Sequence, residues 1–383
     1  MAFTRGNADP PQLYRSGRRA LSSYAVHVSS KNGAALVVGG GIIGTTSAFL
    51  LAREGWRVTL FDPAPGSGAT WAAAGMLAPG AEASPGERGN YERQRGAVEA
   101  WRNVAHEIHD VTGETLDIAE TGTLLVGFDL SDRRLVEQFE YVAHDFGVSY
   151  QPVTREIHPS YFEGLSPRIR DGLFLDGDAW LDPDQAMQLL TDAGRALGVE
   201  TVRQRVESVA ALSDHVEATT VDGTYRADIG VLATGAMTLP KGVVERVDHS
   251  VRPVRGMTVR VSGLDRSSQP VVRAFVRGRS FYVVSRPGGY CVLGASLDEH
   301  GELVVEVGEL QRLLRDALDV VPALESAGVV ETRQGLRPAT GDLTPFLEVI
   351  DDRWAWVSGH YRHGVTLAPL SASDIVRFAR TFA

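Results

Sequence analysis

Three glycines and an aspartate near the start of the chain are spaced to bind a dinucleotide. Gly39, Gly41 and Gly44 fit G-x-G-x-x-G, and Asp62 stands about 20 residues further on, where this motif carries an acid. The first glycine permits a tight turn, the second lets the backbone approach a pyrophosphate, and the third lets helix and strand pack closely. A carboxylate at Asp62 would bind ribose hydroxyls and repel the extra phosphate of NADP. The motif therefore predicts FAD or NAD binding without deciding between them.

The residues around this loop have the order strand, helix, strand that such a site requires. The apolar run 35–38 predicts a buried strand, residues 45–54 predict a helix that Gly55 ends, and 57–62 predict a second strand. A helix that begins at the glycines directs its positive N-terminus toward a bound pyrophosphate. The combination favours dinucleotide binding over a turn that merely contains glycines.

The stretch after Asp62 favours a flavin over a nicotinamide. Residues 67–75 are almost all small, so backbone N–H groups would approach phosphates or a flat ring, whereas a nicotinamide domain would continue into another helix and strand. The alternative is a small-residue helix that only packs on the sheet. Later junctions at 229–236 and 354–369 repeat the pattern of buried strand, glycine and small residues. The second would present N–H groups to an anionic flavin edge.

Composition excludes several classes of protein. The 383 residues include 38 Lys and Arg against 48 Asp and Glu, a net charge of −10. This balance argues against nucleic-acid and anionic-membrane partners, and the longest apolar runs are too short to span a bilayer. The single cysteine, Cys291, excludes an internal disulfide and fits a cytoplasmic location, and its place within a strand predicts a core residue.

Residues 1–33 differ from the rest and predict a flexible tail. Arg18 and Arg19 resemble a twin-arginine export signal superficially, but the segment that follows is too polar for the apolar part of such a signal. His106 and His109 have helical spacing without a third ligand nearby in the sequence, so we predict no metal site. Longer helices are expected at 91–112, 132–146, 185–197 and 303–321.

Several blocks of this sequence resemble one family of flavoproteins. The segment Val37 to Pro79 is similar to the N-terminal part of the D-amino-acid oxidase superfamily of FAD-dependent oxidoreductases, and Ala72 to Leu77 is most like the ThiO-type glycine oxidases. Further blocks follow in the family's order at 251–256, 276–284, 335–338 and 359–364. They span nearly the whole chain after residue 33.

The resemblance implies a mixed α/β (α+β) fold, in which a Rossmann-like FAD-binding domain is interleaved with a smaller, mostly antiparallel substrate-binding domain. With the order of predicted elements, it places the FAD-binding domain at 34–114, 181–250 and 326–383. The substrate-binding domain would comprise 115–180 and 251–325.

The implied cofactor is a non-covalently bound FAD. Beside the loop glycines Gly39, Gly41 and Gly44, its ADP part would contact Ile42, Ile43 and Asp62, with a backbone contact from Val206 on the adenine side. The pyrophosphate and ring would lie along Ala69, Thr70, Ala74, Gly75 and Met76. The pyrimidine end of the flavin would be surrounded by His360, Tyr361, Arg362, His363, Gly364, Val365 and Thr366.

The resemblance also implies which residues hold the substrate. Arg337 matches the arginine that binds the substrate carboxylate, Tyr282 matches the phenol that adds a hydrogen bond to it, and Arg362 matches a second arginine near the substrate. A planar guanidinium binds a carboxylate through two parallel hydrogen bonds and so fixes which hydrogen on Cα faces the flavin. The alternatives are a surface salt bridge for Arg337 and a flavin-edge role for Arg362. We assign no general base, because a bound neutral amine needs none.

The implied activity is oxidation of glycine or another small amino acid, such as D-alanine or sarcosine, with dioxygen as acceptor and hydrogen peroxide as product. In a thiamin pathway, glycine imine would supply thiazole formation. The alternatives are a D-amino-acid or sarcosine dehydrogenase or oxidase with another electron acceptor, and an FAD- or NAD-binding protein that senses or scaffolds. Departures from the family at Ser280, Leu297 and 342–348 leave the pocket size open. The family often forms homo-oligomers.

Overall fold

The structure, a computed structural model, describes residues 32–242, 250–299 and 302–383. Apart from its last two residues, the predicted tail at 1–33 lies outside the described residues. The described strands are β1 (Ala34–Val38), β2 (Arg57–Phe61), β3 (Met76–Leu77), β4 (Ile118–Ala119), β5 (Thr123–Gly127), β6 (Gln151–Thr154), β7 (Asp171–Leu175), β8 (Ala179–Leu181), β9 (Glu200–Val202), β10 (Ser208–Ala211), β11 (Val216–Thr220), β12 (Gly223–Ala227), β13 (Ile229–Leu232), β14 (Arg252–Ser262), β15 (Val271–Val276), β16 (Arg279–Arg286), β17 (Tyr290–Gly294), β18 (Gly328–Ala339), β19 (Phe346–Ile350) and β20 (Trp354–Ser358).

The helices lie between these strands and after the last of them. They are α1 (Ile42–Arg53), α2 (Ala69–Ala72), α3 (Arg88–Gln94), α4 (Ala97–Thr112), α5 (Leu130–Phe146), α6 (Pro183–Ala196), α7 (Val307–Val320) and α8 (Gly364–Ala379). Short 3₁₀ turns occur at Pro159–Phe162, Pro322–Ser326, Tyr361–His363 and Arg380–Phe382. Among the residues that the structure describes, every helix is too short or too polar to cross a membrane.

A six-stranded sheet has the order β19-β20-β13-β1-β2-β9, parallel except for the antiparallel edge strand β19. Every residue of β1 is buried, as is typical of a strand covered on both faces. Its side chains alternate between two cores: Ala35 and Val37 pack toward α1, α4, α6 and α8, whereas Leu36 and Val38 pack toward the small sheet β10-β11-β12.

A second large sheet has the order β18-β14-β17-β16-β15-β5-β7-β6 and is antiparallel except at the β15–β5 pair. The strands alternate again: Leu124 and Val126 join a core that includes α7, whereas Leu125 packs with α5. Strands β14, β15, β16 and β18 of this sheet contribute residues to the wall of the cavity described below.

The predicted fold class, a mixed α/β (α+β) fold with a parallel nucleotide-binding sheet and a mostly antiparallel sheet, is confirmed. The second small sheet, β3-β8-β4, joins segments that the sequence analysis divides between the two domains. Strand β18 falls in the segment assigned to the FAD-binding domain, yet it pairs along its whole length with β14 of the antiparallel sheet. The domain boundaries stay a prediction.

Candidate active site

A cavity of about 1030 Å³ runs from the glycine loop after β1 to Tyr282 and Arg337 on the antiparallel sheet. That volume lies at the upper end of the roughly 300–1,000 Å³ found for small-molecule sites. Both sheets and the small-residue segment after β2 contribute to its wall. It therefore joins the predicted nucleotide site and the predicted substrate site in one space.

At the nucleotide end, the glycines are required by close backbone contacts. Gly39 has φ +107°, and a Cβ there would lie 2.3 Å from the carbonyl oxygen of Ala233. A Cβ on Gly44 would lie 1.8 Å from the Gly39 oxygen, so any side chain would push α1 away from the loop. Gly41, the N-cap of α1, has no side-chain cap, and the first helical turn has no acid. This helix N-terminus therefore suits a bound anion.

Asp62 holds the loop from the end of β2. Its Oδ2 accepts a hydrogen bond from Gly40 N at 2.7 Å and its Oδ1 accepts one from Ala64 N at 2.7 Å. Asp62 also lines the cavity, and each of its carboxylate oxygens keeps the capacity to accept a further hydrogen bond. Thr70 contributes from the opposite side, since its Oγ1 accepts a hydrogen bond from Ile42 N at 3.0 Å.

The middle of the cavity is formed by α2 and the residues after it. Gly75 has φ +75°, and a Cβ there would lie 2.0 Å from Leu181 O, so a larger residue would displace β8. Arg286 is buried behind this segment, where it donates hydrogen bonds to Ala74 O and, at 2.8 Å, to Leu181 O. The small residues after Asp62 thus bring backbone close to the cavity. They form one short helix, α2, followed by extended chain. The alternative of a single small-residue helix that only packs on the sheet therefore does not describe this segment.

The C-terminal junction closes this part of the wall. Gly364 and Val365 begin α8 at the cavity, and Trp101 Nε1 donates to Val365 O at 2.8 Å. Burial lowers the pKa of His360 to about 4 and that of His363 to about 3, so both rings are neutral at neutral pH. The two histidines therefore add no positive charge to the junction, and the N-terminus of α8 supplies its positive dipole end.

The guanidinium of Arg337 lies over the neighbouring strand β14, where a diagonal glycine two residues from its register partner Val254 leaves room for it. A Cβ on Gly256 of the neighbouring strand β14 would lie 2.2 Å from Arg337 NH2. Arg337 NH1 donates to the carbonyl oxygens of Arg255 at 3.2 Å and Ser296 at 3.3 Å. No described residue accepts a hydrogen bond from Nε or NH2, and no described acid forms a salt bridge with this guanidinium. The Nε–NH2 edge is thus a free pair of parallel donors on the cavity.

Tyr282, on β16, also lies against a glycine of the neighbouring strand, here β17. It pairs with Gly294, where a Cβ would lie 2.2 Å from the phenol ring atoms. Burial raises the pKa of Tyr282 to about 12, although Arg337 lowers it, so the hydroxyl is protonated at neutral pH and able to donate a hydrogen bond. Tyr282 and Arg337 therefore offer three donors to an anion in the cavity.

Four charged residues form an ion-pair network beside Tyr282. Glu82 contacts Arg273 and lies 2.6 Å from Arg362 Nε, and Arg362 NH2 also reaches Glu87 at 3.2 Å. Burial would raise the pKa of Glu82, but the two arginines outweigh it and lower the pKa to about 2. Glu82 is thus ionised across the working pH range, and Arg362 is engaged by two carboxylates.

The structure brings most of the predicted site residues to the cavity wall. Those on the wall are Gly39, Gly41, Ile42, Ile43, Asp62, Ala69, Thr70, Ala74, Gly75, Met76, Val206, Tyr282, Arg337, His360, Tyr361, Arg362, Gly364 and Val365. Three predicted residues do not line the cavity. Gly44 packs against the glycine loop, His363 is buried, and Thr366 donates a hydrogen bond to Met76 O at 3.1 Å. Their roles toward a cofactor or substrate stay predictions.

Among the wall residues that sequence reasoning missed are Glu82 and Arg273. No motif marks them, because Glu82 lies in the loop after β3 and Arg273 on β15, 191 residues later. The available signal was the position of Arg273 in the strand next to Tyr282: the two residues pair directly across β15 and β16, so their side chains share a face.

Comparison with known proteins identifies the family. Residues 34–377 match the family model described as "DAO: FAD dependent oxidoreductase". The chain belongs to this family of FAD-dependent oxidoreductases. It is 29% identical over 346 residues to "Glycine oxidase" of Bacillus licheniformis, covering 87% of this chain and 89% of that protein. It is 32% identical to "Putative thiamine biosynthesis oxidoreductase ThiO" of Rhizobium etli, covering 89% and 95%. The crystal structure of glycine oxidase from Geobacillus kaustophilus superposes with a TM-score of 0.81 at 26% identity, covering 91% and 95%.

The predicted cofactor, FAD, is therefore confirmed, as is the prediction of a flavin-dependent oxidoreductase similar to glycine oxidases. The residues present fit this group. The helix N-terminus at Gly41 is free of acids, and Thr234 Oγ1 is buried on the wall without a hydrogen-bond partner among the described residues. An FAD ribityl or phosphate oxygen would satisfy such a group.

Proposed function

We propose that this enzyme oxidises glycine or another small amino acid, such as D-alanine or sarcosine, at the bond between Cα and nitrogen. The observation that carries the proposal is the free Nε–NH2 edge of Arg337 beside the Tyr282 hydroxyl, in the cavity that holds the nucleotide loop. The names of the relatives, glycine oxidase and thiamine biosynthesis oxidoreductase, support the same substrate class. By that analogy, oxidised glycine would supply thiamine thiazole formation.

The side chains of this enzyme bind and orient the substrate. The Nε–NH2 edge of Arg337 donates two hydrogen bonds to the substrate carboxylate and holds it in a fixed plane. The protonated Tyr282 hydroxyl donates a third hydrogen bond to the same carboxylate. FAD held at this site would supply the oxidising power, as the acceptor of a hydride (two electrons and one proton) from Cα of the substrate. Water hydrolyses the resulting imino acid, and dioxygen takes the electrons to give hydrogen peroxide. Glu82, held by two arginines, is not available as a base, and we assign none.

Anaerobic mixing of the holoenzyme with glycine, sarcosine and D-alanine tests the proposal. Bleaching of the flavin absorbance by one of these, followed by recovery and peroxide formation in air, is the expected result. Bleaching without recovery in air would instead favour a dehydrogenase with another electron acceptor. A flavin that none of them bleaches would refute the proposed substrates.

Arg337→Ala and Arg337→Lys test the carboxylate contact itself. Both should retain FAD, and kcat/KM should fall by about 10³-fold in the alanine variant and less in the lysine variant, which keeps the charge but loses the fork. Arg377→Ala is a matched control, because that exposed arginine on α8 pairs only with Asp374 among the described residues. Unchanged turnover in Arg337→Ala would remove Arg337 from the site.

A further inference from the structure

Arg273, Arg337 and Arg362 all line the cavity, but their partners differ. Arg337 is bound only by backbone carbonyls among the described residues, whereas Arg273 and Arg362 both contact the carboxylate of Glu82. Arg362 has Glu87 as a further partner. Of these three arginines, Arg337 is free to take an anion, whereas Arg273 and Arg362 are already neutralised.

Arg273 stands close enough to the predicted carboxylate site to matter for specificity. It pairs directly with Tyr282 across β15 and β16, so both side chains project from the same face of the sheet into the cavity. Both Arg337 and Arg273 act electrostatically on the Tyr282 phenol, and so does Glu82. An arginine next to Tyr282 would be a second anion site if Glu82 did not hold it.

The backbone around Glu82 keeps its carboxylate in place. Gly80 N and Ala81 N donate to the two carboxylate oxygens of buried Asp178, at 3.0 and 3.1 Å, and Glu82 N donates to Ala78 O at 3.0 Å. Arg362 NH2 also donates to Ser84 Oγ at 3.1 Å, on the far side of Glu82. A loop held at so many points presents Glu82 in one position, which a neutralising role requires.

We propose that Glu82 is a specificity-determining residue that occupies Arg273 and Arg362, so that the site accepts amino acids with one carboxylate and excludes those with two. This inference rests on the proposed function, since it assumes that Arg337 binds the substrate carboxylate. Glu82 acts through electrostatics: its negative charge cancels the attraction of Arg273 for a second carboxylate and repels that carboxylate directly. Removing this charge converts Arg273 into a binding group.

The test uses pairs of ligands that differ by one carboxylate, at constant ionic strength. Propionate and succinate are titrated into the holoenzyme and followed by the flavin difference spectrum, and D-alanine and D-aspartate are compared as substrates. Wild type should bind succinate no more tightly than propionate. Glu82→Gln, which keeps the shape and loses the charge, should shift the ratio toward succinate by about tenfold or more. It should shift kcat/KM toward D-aspartate in the same direction.

Two further variants test whether Arg273 is the arginine that binds the second carboxylate. Glu87→Gln is the matched control, because Glu87 contacts Arg362 but not Arg273, and it should leave the succinate-to-propionate ratio as in wild type. Combining Glu82→Gln with Arg273→Met should cancel the gain. A ratio in Glu82→Gln within about twofold of wild type, or a gain that survives in the double variant, would overturn the proposal.

Two outcomes separate this inference from the proposed function. If propionate binding is lost in Arg337→Ala but the ratio does not respond to Glu82→Gln, Arg337 binds the carboxylate and only the role of Glu82 is wrong. If Arg337→Ala binds propionate normally, the proposed function itself fails. If Glu82→Gln does not fold, the titrations of the wild-type holoenzyme test the proposal. Binding of succinate about tenfold tighter than that of propionate would show that Arg273 is not neutralised and would refute it.

Discussion

Replacing Gly256 by alanine should disable the carboxylate site without unfolding the protein. The added Cβ would lie 2.2 Å from Arg337 NH2 and 2.3 Å from Cζ, whereas Cβ atoms essentially never approach heavy atoms more closely than 3.0 Å. Gly256 is in the middle of β14 and its backbone is open to any residue, so the guanidinium must move and not the strand. A displacement of about 1 Å removes the two carbonyl contacts that aim the Nε–NH2 edge.

A misplacement of that size costs about 10²-fold in kcat/KM, or roughly 2.7 kcal/mol of transition-state stabilisation. Turnover of glycine or sarcosine and propionate binding should both fall, while the flavin content and the melting temperature stay near those of wild type. Gly328→Ala is the matched control, since it lies on the adjacent strand β18 and its Cβ would meet only Ser262 Oγ at 3.4 Å. If Gly256→Ala keeps full turnover, Arg337 is not positioned by this glycine, and the geometric reasoning is refuted.

Three further predictions concern the cofactor loop, a buried acid and the cysteine. Gly44→Ala, whose Cβ would lie 1.8 Å from Gly39 O, should lower stability by about 1–3 kcal/mol and reduce the FAD content of the purified protein; an unchanged flavin-to-protein ratio would contradict this. Burial raises the pKa of Asp178 to about 7 against the hydrogen bonds it accepts, so the folded state keeps a proton that the unfolded state releases above pH 4. Between about pH 4 and 7, the unfolding free energy of wild type should therefore fall by roughly 4 kcal/mol relative to that of Asp178→Asn. If urea unfolding gives a constant difference in unfolding free energy between the two proteins across this range, the prediction is wrong. Cys291 is buried and burial raises its pKa, so a maleimide at neutral pH should label it only after denaturation, as measured by mass spectrometry.

The nucleotide site could be predicted because its information is local. The strand, glycine loop, helix and acid from Ala34 to Asp62 are contiguous, and each has its own steric or electrostatic reason. The substrate-binding roles of Arg337 and Tyr282 came from a resemblance, since nothing local distinguishes them from other residues of strands. Each has a glycine beside it that leaves room for its side chain: Gly294 pairs with Tyr282, and Gly256 is the diagonal neighbour of Arg337. Such neighbours depend on sheet register.

Helix boundaries show the same limit. The pattern at 91–112 predicted one helix, but the chain forms α3 and α4 with a break at Gly96, and α3 carries buried Asn90, which donates to Leu343 O at 3.2 Å. The helix predicted at 303–321 begins at Val307 in the structure. In both cases tertiary contacts decide where a helix begins, and a periodic pattern cannot contain that information.

In the proposed site, the charge balance around Arg337 would allow this one arginine to select the substrate. A cation that is withdrawn from water is destabilising without a partner, so partly buried arginines require compensation. Glu82 and Glu87 compensate Arg273 and Arg362, and backbone carbonyls compensate Arg337 only in part. Under the proposal, an amino acid that binds with an ionised carboxylate and a neutral amine would supply the charge that Arg337 lacks. A second carboxylate would find Arg273 and Arg362 already paired, and a simple amine would leave Arg337 without an anion, so we expect both to be poor substrates.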